Sequence, residues 1–423
     1  MAGLAAADAL SAEGASVVVL EARDRIGGRI HTIPSRRKAI PIELGAEFVH
    51  GAKNETWRLI HAAGLATHEV PDSHWQATDG VLVRNPQFWD QLAKAMENIH
   101  LSAPDQDFAS YLASQMRLDD FSRALAIEYV EGFHAAPPDC MSVHALKKAE
   151  KRAEVEEGTR AFRLAHGYSG LTEWLASRIN SRGSRILCDQ NVRIVRWKRG
   201  RVEIIAETPK GVQKHHGSAA IITLPLGVLQ AAPEEGVFFD PELAGKRTPI
   251  MSLRMGRVIK VVLQFDRRLW PIDNFGFIHS SGQLFPVWWS DERGPVLTGW
   301  TGDGRAEWLS RENQNAIFAE AVNCLGRILN LTAGFLKKRL QAEYFHDWSA
   351  DPFSRGAYSF TPPRMTRMAG RLAEPLSNTL FFAGEATDSE GNQGTVQGAL
   401  TSGERVADQV LRTMKKKERL AVR

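Results

Sequence analysis

The sequence predicts an α/β fold built on a doubly wound parallel sheet. Three observations carry that expectation. Leu4, Ala7 and Leu10 recur at helical spacing, Gly14 stops the repeat, and Val17-Val18-Val19-Leu20 follows. Such an unbroken apolar run is typical of a strand buried on both faces of a parallel sheet. Near the other end, Leu380-Phe381-Phe382-Ala383 reads as a second buried strand turning at Gly384-Glu385. Parallel sheets bind ligands at that end of their strands. Beyond it Val396, Ala399, Leu400, Gly403, Val406, Ala407 and Val410 recur at helical spacing. A helix that precedes the first strand is unusual, because a βαβ unit opens with a strand.

The 423 residues exceed one small domain and give roughly three units of about 150 residues. Hydrophobic residues are 43% and charged residues 24%, which excludes a disordered chain. Lysine plus arginine is 53 against 49 acids, so no nucleic-acid partner is expected. Cys140, Cys188 and Cys324 lie far apart without a CxxC pair. That excludes a disulfide framework and a cysteine metal site, and a reducing, cytoplasmic location is expected. The longest apolar stretch, Ala219 to Leu229, is interrupted by Pro225 and is too short to span a bilayer. No basic residue opens the chain, and Asp8 and Glu13 interrupt the apolar start, so a signal peptide is not expected.

Gly3 stands where the last glycine of a Gly-x-Gly-x-x-Gly turn would lie, and Glu21 ends the next strand. A carboxylate there accepts hydrogen bonds from ribose hydroxyls, although a glutamate at a strand end is more often a solvated loop residue. Glu55 to Ala135 reads as mostly helical, broken at Pro71, Pro86 and Pro104. Lys147 to Glu157 reads as a solvated helix face. Gly167 to Leu171 opens a helix through Ile179, and Asn191 to Glu207 reads as a hairpin about Gly200. In the strand Val258 to Phe265, Lys260 shares a face with Val258, Val262 and Gln264. Spacing alone makes it a solvent-facing lysine.

Two blocks then stand out: Glu21-Ala22-Arg23-Asp24-Arg25-Ile26-Gly27-Gly28-Arg29, and Leu44-Gly45-Ala46-Glu47-Phe48-Val49-His50-Gly51. Leu224 to Leu229, Lys260 in its β-rich run, Asp351-Pro352 with Gly356-Ala357-Tyr358-Ser359, and Ala383 to Thr387 follow in order. In these blocks the chain resembles the flavin-dependent amine oxidase family from Gly3 to about Leu411. The resemblance implies a Rossmann-like FAD-binding domain (1–57, 166–250 and 371–412) and a discontinuous α+β substrate domain (58–165 and 251–370), with a basic tail at 413–423. It implies that Gly3, Glu21, Arg23, Gly28, Arg29, Gly384 and Glu385 hold FAD. Gly45, Ala46, Glu47 and Phe48 run along the flavin, Val192 offers its backbone to adenine, and Thr395 and Val396 open a helix toward the flavin carbonyl. Gly27 and Gly28 admit a pyrophosphate, and a guanidinium such as that of Arg29 meets phosphate oxygens two at a time. A helix N-terminus favours negative charge.

By the same resemblance Lys260 assists reoxidation of the flavin and Tyr358 walls the reacting amine. His50, Trp348 and Thr395 border the substrate, His50 being equally well read as a buried structural histidine. Where monoamine oxidases carry a flavin-binding cysteine this chain has Ala357, so non-covalent FAD is expected. Where amino-acid oxidases carry a carboxylate-binding arginine it has Phe48-Val49-His50, and Thr395 replaces the second cage aromatic. The expected reaction is oxidation of a primary or secondary amine, of polyamine or monoamine type, to an imine, with O2 giving H2O2. The rivals are a desaturase or porphyrinogen-type oxidase of the same fold, and a cofactor-poor remnant. The last arises because the family's first strand and first two phosphate-turn glycines would precede Met1. The chain is therefore expected to begin inside a longer natural one and to hold FAD weakly.

Overall fold

The computed structural model describes residues 1–36, 40–272 and 275–421, with side chains as far as residue 415. The opening helix, Ala2–Ala12, buries Leu4, Ala7 and Leu10. It packs on the long helix Val396–Ala421, where Val406 and Ala407 are buried. That last helix takes in the expected basic tail as far as Ala421; residues 422 and 423 lie outside the described residues.

Strand Val18–Leu20 pairs in parallel with Arg185–Leu187, and Leu380–Phe382 pairs in parallel with Ala220–Ile222. Among the described residues no strand joins the two pairs. Leu380, Phe381 and Phe382 are buried, as their sequence predicts, but Val18 is 39% exposed. The expectation of burial on both faces fails there, because a sheet two strands wide covers little of it. The hairpin about Gly200 forms from Asn191–Lys198 and Arg201–Thr208, with a register shift between Val192 and Ile194.

The second sheet has seven strands, in the order Leu340–Phe345, Val258–Phe265, Val296–Gly302, Val287–Asp291, Phe277–His279, His74–Thr78 and Val81–Arg84. Side chains alternate between its faces. One face, with Ile259, Val261, Leu263, Ile278, Trp288 and Leu297, forms the main hydrophobic core with helix Gln314–Leu329. Register defines the other face. Lys260 lies opposite Trp300, Trp300 opposite Val287, and Val287 opposite His279. Trp289 lies opposite Phe277, and Phe277 opposite His74. This second face is covered by protein and cavity rather than water, and every residue of Val258–Phe265 is buried. Period two therefore assigns Lys260 to the right face and the wrong environment.

Three further expectations are corrected. Residues 67–84 are not helical but form strands Thr67–Val70, His74–Thr78 and Val81–Arg84. The last two meet at Asp79-Gly80, both with positive φ, the conformation of a type I′ hairpin turn. The boundary expected between 57 and 58 falls inside helix Thr56–Ala62. The run 147–157 is not wholly solvated: Glu156 is buried and accepts a hydrogen bond from Gln397 Nε2 at 2.7 Å.

Candidate active site

A cavity of about 1050 Å³ runs from the parallel strand pairs to the Lys260 face of the seven-stranded sheet. Every residue that the sequence marks as binding or reacting lines it, from Gly3 and Glu21 to Thr395 and Val396. At the end formed by the parallel strand pairs, Glu21 Oε1 accepts the Arg23 backbone N–H at 2.9 Å. Arg23 itself donates to Asp351 Oδ1 at 2.8 Å and Ser354 Oγ at 2.9 Å. Arg29 donates to the Ala357 carbonyl at 2.7 Å and to Glu385 Oε1 at 2.9 Å. The other Glu385 oxygen accepts from Ser359 Oγ at 2.6 Å and Gly394 N at 3.0 Å. Glu385 is thus a buried bracket that orients Arg29. Thr395 Oγ1 accepts the Gly398 N–H at 2.9 Å and so caps helix Val396–Ala421. Its hydroxyl serves the helix, leaving the rest of the side chain as cavity wall.

Beyond this end lies a buried charge cluster. Lys260 donates to Glu47 Oε2 at 2.7 Å and to the Gly45 carbonyl at 3.2 Å. An ammonium has three N–H bonds, so one is left for the cavity. Glu47 Oε1 accepts from Arg163 Nε at 2.8 Å and Trp289 Nε1 at 2.9 Å. Burial alone would raise the Glu47 carboxyl, but Lys260 and Arg163 outweigh it and hold it at about 2. Arg163, Trp289 and Trp300 escape the sequence reading because only strand register brings them here.

Aromatic rings complete the chamber. Phe48 lies 5.5 Å from Trp289, and Lys260 sits 5.7 Å from the Trp289 ring. Tyr358 donates its hydroxyl to the Phe133 carbonyl at 2.9 Å. His50 stands between Phe48 (5.9 Å) and Phe133 (5.4 Å), and burial pushes its ring down to about 4, so it is neutral at physiological pH. Trp348 lines the same cavity: its indole donates to the Leu44 carbonyl at 2.9 Å and its ring meets His346 at 4.1 Å. It walls the Leu44–Gly45 segment, whereas Tyr358 is tied to Phe133.

Comparison with known proteins settles the family. Residues 1–411 match the model for flavin containing amine oxidoreductases. The chain belongs to that family. It is 27% identical to polyamine oxidase 4 of Oryza sativa subsp. japonica, covering 96% of this chain and 86% of that protein. It is equally 27% identical to lysine-specific histone demethylase 1 homolog 2 of Arabidopsis thaliana, over 97% of this chain but only 57% of that longer protein. Among solved structures, a putrescine oxidase bound to putrescine superposes with a TM-score of 0.82 at 20% identity, covering 97% of both chains. Cyclohexylamine oxidase from Brevibacterium oxydans gives 0.80 at 18% identity, over 98% of this chain and 97% of that one. These likenesses show the fold.

As a flavin-containing amine oxidoreductase the protein uses FAD, and the cavity walls fit it. Gly28 (φ +63°) and Gly384 (φ +128°) both line the cavity, and a side chain at either would project into space free of protein atoms within 4 Å. Bare backbone at such points is what a diphosphate needs. Helix Ala2–Ala12 opens without a side-chain cap, so its first-turn N–H groups are available to an anion at the same wall. Among the described residues no helix is long and apolar enough to cross a membrane, and no group of three or more metal-ligating side chains is found.

Proposed function

We propose that this protein oxidises the C–N bond of a small amine to an imine with non-covalently held FAD, O2 being reduced to H2O2. The single observation that carries the reading is the Lys260–Glu47 pair, buried beneath Trp289 where the nucleotide walls meet the aromatic chamber. Bound FAD would supply the acceptor for the hydride equivalent, which carries the two electrons that leave the amine. The protein's own groups do the rest. Gly28, Arg29 and Gly384 hold the cofactor, Glu21 binds its ribose, and Val192 meets adenine. Phe48, Tyr358 and Trp289 exclude water and orient the reacting carbon, which favours a neutral amine. Lys260 holds a water at the cavity side with its remaining N–H. Ala357 offers no sulfur for a covalent flavin bond.

The division into an FAD part and a substrate part belongs to the same proposal, with the cavity between them. So does a cytoplasmic location, in keeping with three free cysteines. Beside Phe48 the chamber offers aromatic surface and a neutral His50, while Arg163, which lies 4.8 Å over the Phe48 ring, is tied to Glu47, and this suits a polyamine or long-chain amine over an amino acid. Peroxide release measured with spermidine, putrescine, benzylamine, phenylalanine and lysine tests this. The polyamines should lead, and a preference for a free α-amino acid overturns the assignment. An unresponsive flavin with every amine would favour a desaturase of the same fold.

A further inference from the structure

The far end of the chamber holds a chain of polar groups that the proposed reaction does not use. His74 Nδ1 and His279 Nε2 lie 2.9 Å apart, and His74 Nε2 lies 3.2 Å from Asp72 Oδ1. Strand register sets the two histidines on the cavity face of the sheet, since Phe277 pairs with His74 and His279 follows two residues on. Phe88 stacks on both rings, at 3.8 Å from His74 and 4.6 Å from His279. Trp89 Nε1 donates to the same Asp72 oxygen at 2.8 Å. His74, His279, Phe88 and Trp89 line the cavity, while the Asp72 side chain is 48% exposed.

The tautomers follow from the end that is fixed. An ionised carboxylate only accepts, so Asp72 requires a proton on His74 Nε2. The 2.9 Å contact is then made by a proton on His279 Nε2 that His74 Nδ1 accepts. His279, kept neutral by burial, is left with an unprotonated Nδ1, and its ring lines the cavity. Resting on the amine-oxidase reading, we propose that His279 Nδ1 is an acceptor subsite for a second, non-reacting ammonium or amino group of the substrate. Its role is selection of diamines and polyamines over monoamines of equal length.

Distance and charge agree with that role. Lys260 and His279 are separated by three strand spacings through Trp300 and Val287, or roughly 14 Å at about 4.8 Å each. The wall between them is aromatic (Trp300, Trp289, Phe277) and suits a methylene chain. Glu128, which accepts from Ser281 Oγ at 3.1 Å and has Arg305 at 3.9 Å, lines the same cavity, as does Asp90. Burial keeps His279 itself from charging, pushing it down to about 3, so it meets a cation as an acceptor and not as a competitor.

The test is equilibrium binding to anaerobic, pre-reduced holoenzyme. Each α,ω-diaminoalkane from butane to decane is compared with the n-alkylamine of equal length. The unaltered protein should bind the best diamine at least tenfold more tightly than its monoamine. His279→Phe should abolish that preference, and His279→Gln, which keeps an acceptor oxygen, should retain most of it. Equal affinities for the two ligand classes in the unaltered protein, or a preference that survives His279→Phe, overturn the subsite. So does an equal loss in both variants. Amine oxidation is judged separately, by whether any amine bleaches the oxidised flavin, so each reading can fail without the other.

Discussion

Lys260, Glu47 and Arg163 put two positive charges and one negative charge where the side chains of all three are at most 7% exposed. Lys260→Met should leave FAD bound and its reduction by amine largely intact, while slowing reoxidation by O2 by about 10²-fold, the scale of one preorganised electrostatic contact. Stopped-flow measurement of both half-reactions checks this, and unchanged reoxidation removes Lys260 from the mechanism. The same change should cost stability, because breaking a buried pair removes about 3–5 kcal/mol. Adding Glu47→Gln should recover part of it. Glu43 behaves in the opposite sense. Burial outweighs its hydrogen bonds from Tyr168 N (2.6 Å) and Thr32 Oγ1 (2.7 Å) and raises its carboxyl to about 7. Between the ordinary 4.5 and 7 the folded state therefore binds more protons than the unfolded state, and stability falls as pH rises through that window. Glu43→Gln should remove the fall, at most about 3 kcal/mol. Melting temperatures of both proteins from pH 4.5 to pH 8 should diverge toward the alkaline end. A constant difference would assign Glu43 an ordinary pKa.

At the scale of elements, the terminal helix shows what a cap does for a site. Thr395 fixes the first turn of Val396–Ala421 at the cavity wall through Gly398 N. Thr395→Val keeps the shape and deletes the cap, so urea denaturation should report a loss of about 1 kcal/mol. Thr395→Ser should restore it, and a Val variant of native stability would show that the cap is idle. This helix was legible because its apolar period is long and its start is marked by a polar loop. Strand Val258–Phe265 was legible in position, yet its environment was not, because alternation names two faces without saying what covers each. The Asp79-Gly80 hairpin had a local signal, Asp-Gly just before Val81-Leu82-Val83, that the neighbouring prolines obscured. Glycine and charge motifs at Gly28, Arg29, Gly384 and Glu385 were readable because backbone exposure and charge are local demands. Trp289, His74 and His279 were not, since each becomes part of the cavity only through pairing between strands distant in sequence, and Arg163 reaches Glu47 only because its strand pairs with Val49–His50.

Across the whole molecule, the segment after the first parallel strand is tied to the Asp351 loop by Arg23. Its guanidinium, on the segment after the first strand, meets Asp351 and Ser354, which lie 328 and 331 residues away in sequence. Asp351 also takes His346 Nε2 at 2.9 Å, and its side chain is only 8% exposed. Burial would raise its carboxyl, but the hydrogen bonds from His346 and Arg23 outweigh it and hold it well below the ordinary 3.8. A depressed carboxyl stabilises the fold above its ordinary value and loses that contribution as pH falls below it. Asp351→Asn keeps the volume and removes the charge, leaving Arg23 with only the longer Glu21 ion pair at 3.8 Å. We expect a loss of about 3 kcal/mol at neutral pH and a lower flavin content, because Arg23 lines the same cavity wall as Glu21 and Gly28. The variant should also lose less stability than the parent on acidification from pH 5 to pH 3, since the group that titrates there is gone. Urea midpoints and flavin absorbance at the two pH values measure both effects. A variant that keeps its flavin and tracks the parent through the acid range would mean that the two halves of the cavity are held together by their apolar packing alone.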